Sequence, residues 1–175
     1  VTVRGRASSG DGGGGVYRWD GSNLSTEVSA DEMTASAGDG GVYVAPSSDQ
    51  TGASGAWVLD VKAELYAGVY GLSASASGSV NQTALQNAIT RAQTLGVRLN
   101  VDVGGTVTIG TGKVTISDDL YLFSTHDTTF FTASGMNDHT FEVNGAGADV
   151  VIDGVRTDGN RAANPTSTKS AFHIV

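Results

Sequence analysis

The sequence contains no cysteine and only two prolines among its 175 residues, and charged side chains make up just 16% of it. Without cysteine, the chain has no disulfide staples and no thiolate ligands for a metal ion. The ten basic residues are scattered and form no patch of the kind that binding to phosphate groups requires. We therefore expect neither nucleic acid nor an anionic membrane surface among its partners.

Long apolar runs are also missing, so the sequence predicts no insertion into a membrane. The chain opens without the basic and apolar segments of a secretory signal, although it begins at Val1 and its natural start can lie elsewhere. The net charge of −8 predicts an acidic surface, which is compatible with neutral sugars or other proteins as partners.

Glycine, by contrast, is abundant, with 25 residues set among threonine, valine and scattered aromatic residues. This composition is typical of short strands joined by tight turns. In the first 60 residues such strands are predicted at 1–4, 16–20, 41–45 and 55–59. The polar stretch 21–40 has little periodicity, and we predict a surface loop there.

A helix is predicted at 79–96, after a stretch at 61–78 that has the character of a linker. Ser79 or Asn81 can cap its first turn, and Gly96 can end it in a left-handed conformation. Its apolar stripe follows the spacing i, i+3, i+4, i+7 and consists of Leu85, Ala88, Ile89 and Ala92.

After Gly96 the apolar period changes from 3.6 to 2. Three- to four-residue apolar segments follow one another, separated by Gly, Asn or Asp corners. Segments 120–123 and 140–143 lie about 20 residues apart, which predicts a solenoid with that repeat and a loop inserted at 158–170. A β-sandwich is the alternative, but its strands are usually longer and joined by hairpins.

Several segments together resemble the phage tailspikes and related proteins of the pectin-lyase-like right-handed β-helix superfamily. They are GDGGGGVYRWD at 10–20, GAWV at 55–58, TALQNAI at 83–89, GGTVTI at 104–109 and VRTDGN at 155–160. The family usually has acidic residues just before the helix, whereas SVNQ stands at 79–82 here. This difference leaves the fold expectation intact, because Ser or Asn caps a helix as well as Asp does.

The resemblance implies an all-β fold with a small head. Residues 1–60 would form a β-rich head or adaptor module, 61–78 a linker, 79–96 a capping helix, and 97–175 the first coils of a right-handed parallel β-helix. Since the sequence stops within a predicted strand and shows no C-terminal cap, we expect later coils in a longer polypeptide.

The resemblance also implies a function. The chain would be the N-terminal part of a homotrimeric tailspike or tail fibre in the extracellular virion tail. Its head would bind tail or baseplate proteins, and the β-helix would lead to a downstream part that recognises, or depolymerises, host surface polysaccharide. The alternative is a monomeric secreted polysaccharide lyase or glycoside hydrolase of the same fold, against which the head module argues. A structural fibre or surface-layer component without a ligand is a third interpretation.

Cleavage of a glycosidic bond needs two carboxylates facing each other across a groove. The candidates are Asp118, Asp119, Asp127, Glu142, Asp149, Asp153 and Asp158. Glu142 lies inside a predicted strand, and the aspartates lie at turns, where Asp commonly stabilises the turn itself. We assign no catalytic residue, and the resemblance implies that sugar-cleaving residues lie on later coils.

The other candidate sites have simpler structural interpretations. The glycines at 12–15 are followed by a strand, not by the Lys-Ser/Thr and helix of a phosphate-binding loop. His126, His139 and His173 lack metal-binding spacing, so we expect no metal and no cofactor. Four aromatic residues could stack on sugars but fit the core of the head better: Tyr17, Trp19, Tyr43 and Trp57.

Overall fold

The computed structural model describes residues 1–5, 13–32, 40–136, 138–160, 162–164 and 171–175. These residues form a predominantly β fold with two α-helices and one short 3-10 helix. The predicted glycine-rich hairpin lies partly outside the described residues, and so does much of the loop predicted at 158–170.

A four-stranded antiparallel sheet forms the head. Its strands are β1 (Thr2–Val3), β2 (Gly15–Asp20), β3 (Tyr43–Val44) and β4 (Ala56–Leu59), in the spatial order β1-β2-β4-β3. Each strand falls within one of the four segments predicted for the first 60 residues. Tyr17 is buried beneath this sheet, and its hydroxyl donates a hydrogen bond to the carbonyl oxygen of Gly41 at 2.8 Å.

The loop predicted at 21–40 is wrong in its first half, because a short helix, α1 (Ser25–Asp31), lies there. No side chain caps its N-terminus, and only Val28 and Asp31 are buried. A helix of seven residues is not stable alone, so these two tertiary contacts hold it in place. One buried valine gives the sequence no detectable period, and this is why the helix was missed.

Residues 61–78, predicted as a linker, contain a strand and a 3-10 helix. The strand is β5 (Glu64–Tyr66), and the 3-10 helix follows directly at Ala67–Tyr70. Leu65 and Leu72 are fully buried, so this stretch forms part of the main hydrophobic core.

The predicted helix is confirmed as α2 (Gly78–Leu95), and its stripe of Leu85, Ala88, Ile89 and Ala92 is completely buried. Gly96 ends the helix with φ of 63°, as predicted. The predicted N-cap is wrong: Ser77, not Ser79 or Asn81, is the cap, and its hydroxyl oxygen accepts from the Val80 N–H. The helix therefore starts one residue earlier, at a glycine that reads as a helix breaker in the sequence.

Seven parallel strands follow α2. They are β6 (Arg98–Asn100), β7 (Thr106–Ile109), β8 (Val114–Ile116), β9 (Leu120–Thr132), β10 (Phe141–Val143), β11 (Val150–Asp158) and β12 (Phe172–Ile174). The first halves of β9 and β11 extend a ladder with β5 and β6, and their second halves extend a ladder from β7. A third ladder has the order β8-β10-β12. Parallel pairing excludes the antiparallel sandwich for this part of the chain.

The predicted repeat of about 20 residues is wrong. Leu99 pairs with Leu122, 23 positions later, and Leu122 pairs with Ile152, 30 positions later. In the third ladder Phe141 pairs with Phe172, 31 positions later. Segments 120–123 and 140–143 belong to different ladders, so their spacing measured the distance between two sides of one turn of the chain.

The helix α2 closes the edge at which the ladders begin. Gln86 Nε2 donates to the Thr115 carbonyl oxygen at 2.9 Å, and Gln86 Oε1 accepts from the Thr115 N–H at 2.8 Å. Asn81 Nδ2 likewise donates to the carbonyl oxygen of Thr108 at 3.0 Å. These side-chain amides replace the neighbouring strand that β7 and β8 lack on this side, and the apolar stripe of α2 covers the core beneath.

We expect Gln86→Ala to lower the free energy of unfolding by about 1–3 kcal/mol, because it removes both partners of Thr115 from a partly buried edge. Urea unfolding followed by circular dichroism measures the change. Thr83→Ala, at an exposed position of the same helix, is the control. Equal stability of the two variants would contradict the role of Gln86.

A buried ion pair joins the head to α2. Asp31 Oδ1 accepts from Arg91 Nε at 2.8 Å and from the Tyr70 hydroxyl, while Oδ2 accepts from the N–H groups of Val42 and Tyr43, both at 2.7 Å. Burial and the negative charge of Asp31 raise the pKa of Tyr70, which therefore stays protonated as a donor. The Asp31 carboxylate thus connects α1, the edge strand of the head, the 3-10 helix and α2.

We expect Asp31→Asn to destabilise the protein by about 3–5 kcal/mol, because an amide would turn one acceptor into a donor facing other donors and leave Arg91 buried without a counterion. The matched control is Asp60→Asn, since Asp60 pairs with an Arg18 side chain that is largely exposed. The control should lose no more than about 1 kcal/mol in the same urea experiment. A similar loss for both variants would sink this prediction.

Candidate ligand-binding surface

The ladder of β5, β6, β9 and β11 turns one set of side chains into the core and the alternate set outward. Leu65, Leu99 and Leu122 are the inward residues and are fully buried. The outward set, which we call the aromatic–carboxylate face, consists of Glu64, Tyr66, Arg98, Asn100, Tyr121, Phe123, Val151 and Asp153. Parallel pairing fixes which of these side chains are neighbours.

Two aromatic rings and one guanidinium occupy the centre of this face. The ring centroids of Tyr121 and Phe123 are 5.7 Å apart, and their planes are inclined by 20°. The Cζ atom of Arg98 lies 5.8 Å from the Tyr121 centroid and 5.1 Å from that of Phe123, within the range of a cation–π interaction. Arg98 Nη2 also lies 3.5 Å from Glu64 Oε2, so the guanidinium is held on two sides.

The carboxylates at the two sides of the face are oriented by neighbouring polar groups. Asn100 Nδ2 donates to Glu64 Oε1 at 3.1 Å, and the Tyr121 hydroxyl donates to Asp153 Oδ2 at 3.3 Å. A hydrogen bond to Glu64 raises the pKa of Tyr66, and partial burial adds to this shift. Both carboxylates therefore hold defined positions before any ligand binds.

A polar corner adjoins the face where β9 bends. The Nδ1 atom of His126 contacts Asp102 Oδ2, and the Thr125 hydroxyl donates to the same oxygen at 2.5 Å. The hydrogen bond to Asp102 and the charge of that carboxylate raise the pKa of His126. Burial acts to raise the pKa of Asp102, but the hydrogen bonds of His126 and Thr125 outweigh it and lower that pKa.

Glu142, the predicted carboxylate inside a strand, lies on another ladder. Lys113 Nζ is 2.7 Å from a Glu142 carboxylate oxygen, and His173 Nδ1 is 3.5 Å from Oε2. The hydrogen bond from Lys113 lowers the pKa of Glu142, which keeps it ionised and unsuited to donate a proton to a leaving group.

Most of the remaining candidate carboxylates serve the turns in which they lie. Asp119 Oδ1 accepts from the Asp149 N–H at 2.7 Å, which ties two corners together. The backbone N–H bonds of Asp118 and Asp158 confirm the turn interpretation for these two residues. Asp127 has φ of 52° at the bend of β9 and forms an exposed ion pair with Arg156. Of the predicted set, Asp153 is the one that the fold brings to the aromatic–carboxylate face.

The other two histidines form a pair outside the third ladder. The rings of His139 and His173 are stacked, with centroids 4.2 Å apart and planes inclined by 16°. Within the part of the chain that the structure describes, no three His, Asp or Glu side chains are grouped so that they could hold a metal ion.

The aromatic residues of the head divide between core and surface. Tyr17 is buried, which confirms the core interpretation for this residue, and Tyr43 packs against Arg91 with the guanidinium 5.3 Å from its centroid. Trp19 and Trp57 meet edge to face at 5.4 Å, and Trp19 is 47% exposed. Beside them lies a groove of about 620 Å³ with a mainly apolar lining that includes Val1, Val3, Val44, Trp57 and Val69.

Comparison with models of known protein families gives no match, and comparison with curated proteins gives none either. In the described residues, no helix has both the length and the apolar character needed to cross a membrane.

Most residues of the aromatic–carboxylate face were missed by the sequence prediction. Glu64 and Tyr66 lie in the stretch predicted as a linker, and Arg98 and Asn100 are the polar positions of an alternating strand. The alternation of 97–103 was the available signal, because it assigns Arg98 and Asn100 to the outward side. It could not show which strands would lie beside them.

We expect His126 to titrate above its ordinary pKa of 6.5, as followed by the ring-proton shifts of His126 in NMR. The raised His126 pKa means that its stabilising contact is fully present below 6.5 and is lost as pH rises through the folded-state value. The lowered Asp102 pKa means that its contribution is present above 3.8 and is lost as pH falls through the folded-state value. The pair therefore stabilises the corner most between these limits.

In the same titration, Asp102→Asn should return the pKa of His126 toward 6.5. Asp127→Asn, which removes a neighbouring carboxylate that pairs with Arg156 instead, should leave most of the shift in place. A wild-type His126 that titrates at or below its ordinary value would refute the proposed contact.

Proposed function

We propose that this chain is the N-terminal part of a phage tailspike or tail fibre. In this proposal the head attaches the spike to tail or baseplate proteins of the virion, outside the host cell. The parallel ladders begin a right-handed β-helix that leads to host surface polysaccharide, and three copies associate side by side.

The observation that carries the proposal is the closed end of the ladders. The helix α2 covers their first edge with the amides of Gln86 and Asn81 and covers the core with its apolar stripe. The head lies on this closed side and is held to it through the buried Asp31–Arg91 pair. Successive strands are added on the other side only, which is the arrangement expected of an adaptor joined to a shaft.

The ladders themselves support the β-helix. The chain passes through the three ladders in the same order on each turn, first as β6, β7 and β8, and then as the halves of β9 followed by β10. The halves of β11 and then β12 repeat the order. A right-handed path for this winding follows from the strong preference of parallel crossover connections.

Association into a trimer has a physical basis. A slender stack of short coils has much surface for its volume and contains no cysteine that could stabilise it. Lateral burial between identical copies offers an alternative source of stability. The apolar groove beside Trp57 in the head is the surface that we assign to the contact with tail proteins.

Catalysis is not part of the proposal for these residues. Glu142 is held ionised by Lys113, and Asp118, Asp119 and Asp158 bond to backbone groups of their turns. The alternative function, a monomeric secreted polysaccharide lyase or hydrolase, has no observation in its favour among the described side chains.

Size-exclusion chromatography with light scattering tests the proposal. We expect a stable mass of three chains, each of 17.7 kDa, that persists on tenfold dilution. This result would support the spike and would locate trimer contacts within the 175 residues. A monomer at all concentrations would contradict the trimer assigned to this part of the protein.

A further inference from the structure

We propose that the aromatic–carboxylate face is itself a binding site, and that its ligand is an uncharged saccharide. The inference rests on the proposed function for its general class of ligand. It goes beyond it in assigning a site to the first turns of the ladders and in selecting neutral sugars over acidic ones.

The aromatic residues supply the apolar part of the site. Tyr66 is 45% exposed on the edge strand β5, and Tyr121 and Phe123 are partly exposed two strands away. Adjacent strands are about 4.8 Å apart, so these rings span roughly 10 Å of rigid surface. A sugar ring presents an apolar C–H face with hydroxyls at its rim, and this matches rings that are flanked by polar groups.

The polar groups of the face suit hydroxyls. The carboxylates of Glu64 and Asp153 each have two oxygens, which can accept hydrogen bonds from neighbouring hydroxyls of a sugar. Arg98 provides N–H donors close to the same rings. Because Asn100 and Tyr121 already fix the two carboxylates, little side-chain entropy would be lost on binding.

The charge of the surface decides between classes of sugar. Glu64, Asp153 and the adjoining Asp102 are three carboxylates, whereas Arg98 is already paired with Glu64, and His126 is paired with Asp102. A uronate, sialic acid or phosphorylated glycan would therefore meet net negative charge, in a chain whose overall charge is −8. An uncharged glycan meets no such repulsion.

A protein with an apolar surface fits this face less well. Docking would remove water from Glu64, Asp102 and Asp153 without supplying hydrogen-bond donors in exchange, and burial of unpaired charge is strongly unfavourable. Sugar hydroxyls supply these donors. The observations therefore favour a polyhydroxylated neutral ligand.

Binding can be tested with an array of neutral and anionic bacterial polysaccharides, followed by titration calorimetry with oligosaccharides of the neutral hits and with oligogalacturonate as the acidic probe. We expect at least one neutral saccharide to bind, and oligogalacturonate to bind at least tenfold more weakly. Tyr66→Ala and the isosteric Asp153→Asn should each weaken the neutral ligand about tenfold with unchanged circular dichroism.

Trp19→Ala is the matched control, because Trp19 is an aromatic residue of similar exposure in the head and should leave affinity unchanged. The inference is overturned if no neutral saccharide binds, if the acidic probe binds equally well, or if Trp19→Ala weakens binding as much as Tyr66→Ala. Light scattering on the same samples separates the two proposals. A trimer that does not bind sugar refutes the site, whereas a monomer that binds neutral sugar refutes the trimer.

Discussion

The unpaired edge of the first parallel strands is the constraint on which the rest of this structure depends. A stack of parallel strands must begin somewhere, and its first members expose backbone N–H and C=O groups on one side. Here the side-chain amide of Gln86 pairs with both backbone groups of Thr115, as a neighbouring strand would. Because an amide carries a donor and an acceptor at a fixed spacing, glutamine on a helix can end a ladder without another strand.

The closed end also explains why the head must be attached rigidly. The helix α2 contacts the ladders on one side and the head on the other, so its position is shared by both parts. Asp31 satisfies two backbone N–H groups of the head while it neutralises Arg91 of α2. A buried charge is unfavourable unless every partner is in place, which makes this connection specific to one relative arrangement of the two parts.

Sequence patterns predicted the elements whose signal is local. The spacing of Leu85 and Ile89 defined α2, and Gly96 defined its end, because helix periodicity and left-handed termination need only neighbouring residues. The short helix α1 and the strand β5 were not predictable in this way, since both depend on partners that are distant in sequence. Leu65, for example, pairs with Leu99 in the adjacent parallel strand.

The repeat length failed for a related reason. Parallel stacking aligns the strands but leaves the corners between them free to vary, so successive turns of the chain differ from 23 to 31 residues. A constant period in sequence therefore need not accompany a constant register in space. The corner residues can even fold back on the stack, as Asn164 does by bonding to the Gly135 N–H at 2.7 Å.

Constant register with variable corners also determines where such a fold can carry a binding site. Inward positions are restricted to residues that fill the core, such as Leu99 and Leu122, while outward positions on the same strands are free of that restriction. Pairing then brings outward residues from β5, β6, β9 and β11 to fixed neighbouring places, although more than 80 positions separate Glu64 from Asp153. Recognition residues on a ladder face are thus positioned by the backbone hydrogen bonds of the sheet, and a change of ligand requires substitution of side chains without a change of fold.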